Sequence, residues 1–315
     1  MDKMTLKDFV KANNSDLGDG FGQIMDVLEN FAKDIDHAVQ RNGLLNQEGD
    51  SGGTNVYGES VQKLDEYANN KLTDALLACP AIHAVGSEEL AEPKMSGNGT
   101  GIYTLTHDPV DGSSNIDTNL PIGTIFGIYP KADTILQKGS TLVASGYILY
   151  SASMMLFYAV KGKVNGFTFD PDRQTFVLTY ENITIGSKKY YAINEGNWEL
   201  FHDAEKKYVE SIKKEGGYST RYVGSMVGDI HRTLLKGGIF IYPSDQKHTN
   251  GKLRLLYEIA PLSFLMIQAG GDATSGMTNP LDLEPVKHDE RVPIAIGSKD
   301  EIAKYRSFNP TGRTV

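Results

Sequence analysis

Residues 106–129 read THDPVDGSSNIDTNLPIGTIFGIY and carry the densest chemistry in the chain. Asp108 and Asp111 stand three residues apart, and Pro109 between them is expected to stiffen a turn that follows a short strand at 103–106. Two carboxylates on a tight turn suit a hard divalent cation, because Mg²⁺ takes oxygen ligands in near-octahedral array. Gly112, Ser113 and Ser114 follow at once. Their backbone N–H groups and hydroxyls suit a phosphate. A metal motif that abuts a phosphate motif is the pattern of a phosphoryl-transfer site.

Other acids stand where they could join it. Asp65 falls inside the apolar stripe of an expected helix, with Val61, Leu64, Ala68, Leu72, Ala75 and Leu76. A lone carboxylate there is costly unless it is paired or needed, so it is either a helix-to-helix hydrogen bond or a site residue. Glu88 and Glu89 end an expected strand at 81–87, and Glu258 opens an expected helix over 258–269. If these acids converge, they repel unless divalent cations neutralise them. No His/Cys set has zinc spacing and no GxSxG nucleophile is present, which leaves metal-assisted phosphate hydrolysis.

The elements that must position these groups follow from periodicity. Ile24, Val27, Leu28, Phe31, Ile35 and Val39 predict an amphipathic helix ending near Gly43, and residues 46–58 read as a mobile loop. Residues 122–129 predict a strand, 142–150 a helix, and 154–160, 164–169 and 174–179 a β-meander. Beyond residue 184 the pattern restarts: strands at 190–194, 239–242 and 291–296, a helix marked by Phe201, Ala204, Tyr208 and Ile212 and ending at Gly216-Gly217, and another over 223–236. Ser298 with Glu301 predicts a capping box for a last helix. Mixed strands and helices without strict alternation favour α/β layers with mixed sheets.

The chain has 315 residues, room for one large domain or two ordinary ones. Its net charge of −9 argues against nucleic acid as a partner, whereas an anionic small substrate remains compatible because bound cations invert the local field. No apolar run is long enough to predict a membrane span. The first ten residues lack a signal or transit pattern. Cys79 is the only cysteine, which excludes intrachain disulfides and fits a reducing, cytoplasmic setting.

The blocks HDPVDGSSNID, GTIFGIY, INEGN, RYVGSMVGDIHRTL, GGIFIYP and NGKLRLLYE occur in this order. Over about residues 21–298 they resemble the class I fructose-1,6-bisphosphatase family. The inositol monophosphatase group shares a DPxDG core but carries a later WDxA segment, where this chain has LYEIAP. The resemblance implies a two-domain sugar-phosphatase fold in α/β/α/β/α layers, divided here into 1–184 and 185–315, and a homotetramer. It implies a Mg²⁺ site, with Mn²⁺ able to substitute, formed by Glu88, Asp108, Asp111, Glu258 and the Val110 carbonyl. Asp65 and Glu89 match the carboxyl pair that activates water. Glu59 stands where the family usually has Asp, one methylene longer. Gly112, Ser113, Ser114 and Lys252 match the group that holds the phosphate to be cleaved. Asn194, Tyr222 and Tyr242 match positions around the far phosphate, with Arg221 reaching in from a neighbouring subunit, and Met226 matches a further substrate-binding position. Asn197 stands where vertebrate members have Tyr.

The implied activity is Mg²⁺-dependent hydrolysis of the 1-phosphate of fructose 1,6-bisphosphate. The rival is a sedoheptulose-1,7-bisphosphatase, a sister group that DTN at 117–119 and APL at 260–262 also resemble. A non-catalytic sensor on the same fold would be expected to lack metal or base carboxylates, and none is missing. AMP-inhibited members hold the nucleotide phosphate with a turn near Gly-Glu-Leu-Thr, a Lys and an Arg. Here those positions read Asp19-Gly20-Phe21-Gly22, Ile102 and Ser140, and only Tyr103 of the set is kept. Loss of two charge-assisted contacts weakens binding roughly 10²–10⁴-fold, so AMP inhibition is not expected.

Overall fold

The computed structural model describes residues 3–48, 61–97 and 99–312. Helices α1 (Leu6–Asn13), α2 (Gly18–Glu48) and α3 (Val61–Ala78) precede a first sheet. Its strands are β1 (Ile82–Ser87), β2 (Lys94–Met95), β3 (Tyr103–Asp111), β4 (Ile122–Pro130), β5 (Ala144–Tyr150), β6 (Met155–Val160), β7 (Lys163–Asp170) and β8 (Thr175–Tyr180). The spatial order is β2-β1-β3-β4-β5-β6-β7-β8, and β1 with β3 is the one parallel pair. A second sheet has β9 (Tyr190–Ala192), β10 (Ser219–Thr220), β11 (Ile239–Tyr242), β12 (Asp272–Thr274) and β13 (Ile294–Gly297) in the order β10-β9-β11-β13-β12. The remaining helices are α4 (Asp203–Glu215), α5 (Met226–Lys236), α6 (Ala260–Gln268) and α7 (Lys299–Arg306).

Three cores tie these into five layers. Phe21, Ile24 and Leu72 of α2 and α3 meet Leu105, Phe126 and Ile148 on one face of the first sheet. Its other face, with Tyr147 and Phe157, packs on α5 and α6 through Val227, Ile230 and Leu265, which also meet Phe240 and Ile296 of the second sheet. Tyr208 and Ile212 of α4, with Ile302 of α7, cover the far face of that sheet. The architecture is therefore the α/β/α/β/α layering with mixed sheets that the resemblance implies. Among the described residues no helix is long and apolar enough to cross a membrane.

Several local expectations are corrected. Residues 144–150 form a strand, not a helix: β5 lies between β4 and β6 with both faces covered, so its apolar run carries no alternation. A Cβ on Gly146 would lie 2.3 Å from the Phe157 carbonyl oxygen, a close approach only glycine allows. α2 continues past Gly43 to Glu48, so residues 46–48 are helical and the rest of the expected 46–58 loop lies outside the described residues, with Glu59. α5 starts at Met226, later than expected, because Val223 and Gly224 donate their N–H groups to the Asp229 carboxylate and Ser225 caps the helix. The last strand starts at Ile294 rather than 291. The capping box does not form. Ser298 Oγ accepts from Gly238 N (3.1 Å), and Glu301 accepts from Tyr218 and Tyr208 instead.

Candidate active site

β3 runs to Asp111 and does not turn at Pro109. Side chains alternate across a strand, so residues three apart would face opposite ways. A bulge removes that conflict: Asp108 pairs with Ile125 and Asp111 with Gly123, leaving Pro109 and Val110 opposite Thr124 alone. Both aspartates thereby line one cavity of about 270 Å³, together with Val110. Proline fits the bulge because no ladder N–H is lost there. Gly112 then takes φ +77°, and a Cβ on it would lie 2.5 Å from Ser225 Cβ. This left-handed step turns the chain into the 3₁₀ turn Ser113–Thr118, which presents Ser113 and Ser114 to the same cavity.

The other acids arrive from separate elements. α3 brings Asp65, the end of β1 brings Glu88 and Glu89, and a π-helical turn, Leu255–Ile259, brings Glu258. Carboxylate oxygens of Glu88, Asp108 and Glu258 lie within 4.8 Å of one another. Asp111 stands apart from this trio, its oxygens accepting from Ser225 Oγ (2.6 Å), Val227 N (2.7 Å) and Met226 N (3.2 Å) at the start of α5. Asp108 accepts from Val110 N (3.0 Å), and Glu258 from Arg254 N (2.6 Å). Tyr222, Met226 and Tyr242 complete the wall expected to meet the sugar.

Burial, then repulsion from Asp111 and Glu258, pushes the Asp108 carboxyl well above the usual range. Burial likewise raises Glu258 and Asp111, the latter opposed by its bonds from Ser225, Val227 and Met226. Asp65 is pushed up to about 6 by burial and by Glu89, against a hydrogen bond from Ser113. Its Oδ1 and Glu88 Oε2 are buried with no hydrogen-bond partner among the described residues. Carboxyls of Asp108, Asp111 and Glu258 that resist ionisation, beside Asp65 and Glu88 oxygens that lack donors, fit divalent cations, which supply the missing positive charge.

Not every expected residue lines the cavity. Asn194 caps the 3₁₀ turn Glu195–Leu200 by accepting from Gly196 N, and Asn197 lies within that turn. Arg221 is exposed, donates to Thr220 O (2.7 Å) and lies 5.6 Å from the Tyr190 ring centroid. Lys252 is half-buried, near the cavity only through its neighbour Leu253. Sequence reasoning missed Arg254, whose guanidinium pairs with Glu88. It also missed Ser225 and Asp229. Asp229 is fully buried, binds Arg232 (2.6 Å) and holds the 223–224 backbone. A serine just before an amphipathic run is an N-cap signal that would have found Ser225.

Comparison with known proteins bears on this site. The fructose-1,6-bisphosphatase N-terminal domain model matches residues 4–181, and the C-terminal domain model matches 185–309. The chain belongs to the fructose-1,6-bisphosphatase family. It is 42% identical to a class 1 fructose-1,6-bisphosphatase of Chlorobium luteolum, over 97% of each chain. It is 46% identical to one of Chlorobaculum parvum, over 90% of each. The structure of Leishmania major fructose-1,6-bisphosphatase in holo form superposes with a TM-score of 0.89 at 35% identity, covering 98% of this chain and 99% of that one. These relatives are phosphatases that hydrolyse a phosphate ester, and membership of their family makes the acidic cavity the place to seek that chemistry.

Proposed function

We propose that the chain hydrolyses the 1-phosphate of fructose 1,6-bisphosphate in a Mg²⁺-dependent reaction, giving fructose 6-phosphate and phosphate. The convergence of Glu88, Asp108 and Glu258 beside the Gly112–Ser114 cradle carries this reading. Those three carboxylates, with Asp111 and the Val110 carbonyl, would hold two or more Mg²⁺ ions per subunit, Mn²⁺ substituting. When bound, the cations neutralise phosphoryl oxygens, acidify water and stabilise the leaving alkoxide. Gly112, Ser113, Ser114 and Lys252 hold the phosphate that is cleaved. Water oxygen bonds to phosphorus as the bond from phosphorus to the C1 oxygen breaks. Asp65, beside Glu89, accepts the water's proton. Glu59 would join from the segment outside the described residues.

In the same reading residues 185–315 complete the site that 1–184 begins. Asn194, Asn197, Tyr222, Met226 and Tyr242 receive the far end of the sugar, and Arg221 serves the neighbouring subunit of a homotetramer. A cytoplasmic setting fits the single cysteine. AMP inhibition is absent: Ile102 and Ser140 are exposed and uncharged, and Tyr103 spends its hydroxyl on Leu17 O (2.6 Å). Phosphate release from fructose 1,6-bisphosphate and from sedoheptulose 1,7-bisphosphate, compared as kcat/KM, tests the substrate. We expect the fructose sugar to be preferred. Preference for the longer sugar would move the assignment to the sister activity, and no release from either would end it. Inhibition by micromolar AMP would refute the regulatory part.

A further inference from the structure

The bulge in β3 decides whether Asp108, Val110 and Asp111 share a cavity, and its own hydrogen bonds are unusual. Pro109 has no N–H, and the Val110 N–H is taken by the Asp108 carboxylate rather than by β4. The Pro109 carbonyl accepts from Thr124 Oγ1 at 2.8 Å. Thr124 is the single residue opposite the two bulged ones, and it is fully buried. Its oxygen lies 3.1 Å from the Tyr150 hydroxyl on β5, which is 3% exposed. The carbonyl can only accept, so the threonine proton points to Pro109, and Tyr150 must donate to Thr124. The chain therefore runs one way, from Tyr150 to Thr124 to Pro109. Loss of its middle member leaves a buried carbonyl without a donor, which a regular ladder could recover only by erasing the bulge. Such a slip would turn Asp108 and Asp111 to opposite faces.

We propose that Thr124, held by Tyr150, is a positioning residue for divalent-cation binding: it keeps the bulge in register so that both aspartates and Val110 line the cavity. This rests on the metal reading above, and the test separates the two. Mn²⁺ binding to the whole enzyme is measured by electron paramagnetic resonance without substrate, and the KM for the sugar bisphosphate at saturating Mn²⁺. Thr124→Val keeps the shape and removes the hydroxyl. We expect its Mn²⁺ dissociation constant to rise about tenfold, the size of one buried hydrogen bond, with KM unchanged. Tyr150→Phe should give a smaller rise in the same direction, and Thr124→Ser should retain wild-type affinity. Wild-type Mn²⁺ binding by Thr124→Val, even with a lower melting temperature, would reduce Thr124 to a packing role and overturn the proposal. An equal loss in Thr124→Ser would do the same. If Thr124→Val does not fold, Tyr150→Phe decides alone, and unchanged affinity there refutes the proposal. A wild-type enzyme that binds no Mn²⁺ would overturn the metal reading itself.

Discussion

Asp108, Asp111 and Glu258 are buried within one cavity, and each is pushed toward its neutral form by burial before any neighbour's charge is counted. A group that must ionise against such a penalty needs a compensating cation, so removal of one carboxylate and removal of the cation should have the same outcome. Asp108→Ala and Asp111→Asn are expected to lower kcat at least ~10³-fold, because they weaken the electrostatic stabilisation that dominates phosphoryl transfer. Far-ultraviolet circular dichroism should be unchanged. EDTA should stop the wild-type reaction, and Mg²⁺ or Mn²⁺ should restore it. Near-wild-type turnover by either variant at millimolar Mg²⁺ would exclude the proposed ligand role.

At the scale of elements, the N-terminus of α5 is coupled to the site. Ser225 accepts from Gly228 N (3.3 Å) as helix cap while its hydroxyl donates to Asp111. One side chain thus starts a helix and orients a ligand. Ser225→Ala should lose about 0.5–2 kcal/mol of stability, the range for a lost cap. It should also lower kcat, since Asp111 would keep only its two backbone donors. Urea midpoint and turnover measured on the same preparation test this, and a stability loss with unchanged turnover would uncouple cap from site. Further along α5, His231 Nδ1 is hydrogen-bonded to the Tyr147 hydroxyl (3.0 Å), and the ring sits edge-on to Phe157. Burial lowers its pKa to about 4.

The consequence for His231 is read at the scale of the whole molecule, in the pH dependence of global stability. The unfolded chain takes up a proton at this imidazole near pH 6.5, whereas the folded chain does so only near pH 4. Its contribution is therefore complete above pH 6.5 and is lost as pH falls toward 4, by up to about 1.4 kcal/mol per pH unit. His231→Gln, which can still hydrogen-bond to Tyr147, should show a shallower loss of urea stability between pH 7 and 5; an unchanged slope would place the proton uptake elsewhere. The exposed Arg221 belongs to the same scale. If it serves a neighbouring subunit, mixed assemblies of inactive Arg221→Ala and inactive Asp111→Ala subunits should regain activity. Hybrids of confirmed mixed composition that stay inactive would return Arg221 to its own subunit.

Short-range chemistry was legible in the chain itself. The acids, the Gly112–Ser114 cradle, the helical stripes of α2 and α3 and the strands of the meander follow from residue type and local period, and ordered blocks carried the family resemblance. Long-range pairing was not legible. Residues 144–150 misread because a strand covered on both faces has no alternation, and the Ser298/Glu301 box misread because Gly238 just before β11, Tyr208 on α4 and Tyr218 outbid a local bond. Asp65 could be placed in a buried stripe, but only the fold puts Glu89 and Ser113 beside it. Arg254 carried no local signal at all, since its partner Glu88 lies on another element. Above all, the spacing of Asp108 and Asp111 would part them in a regular strand. Tertiary structure decided that they meet, because a bulge is a property of two paired strands and no single stretch of sequence contains both.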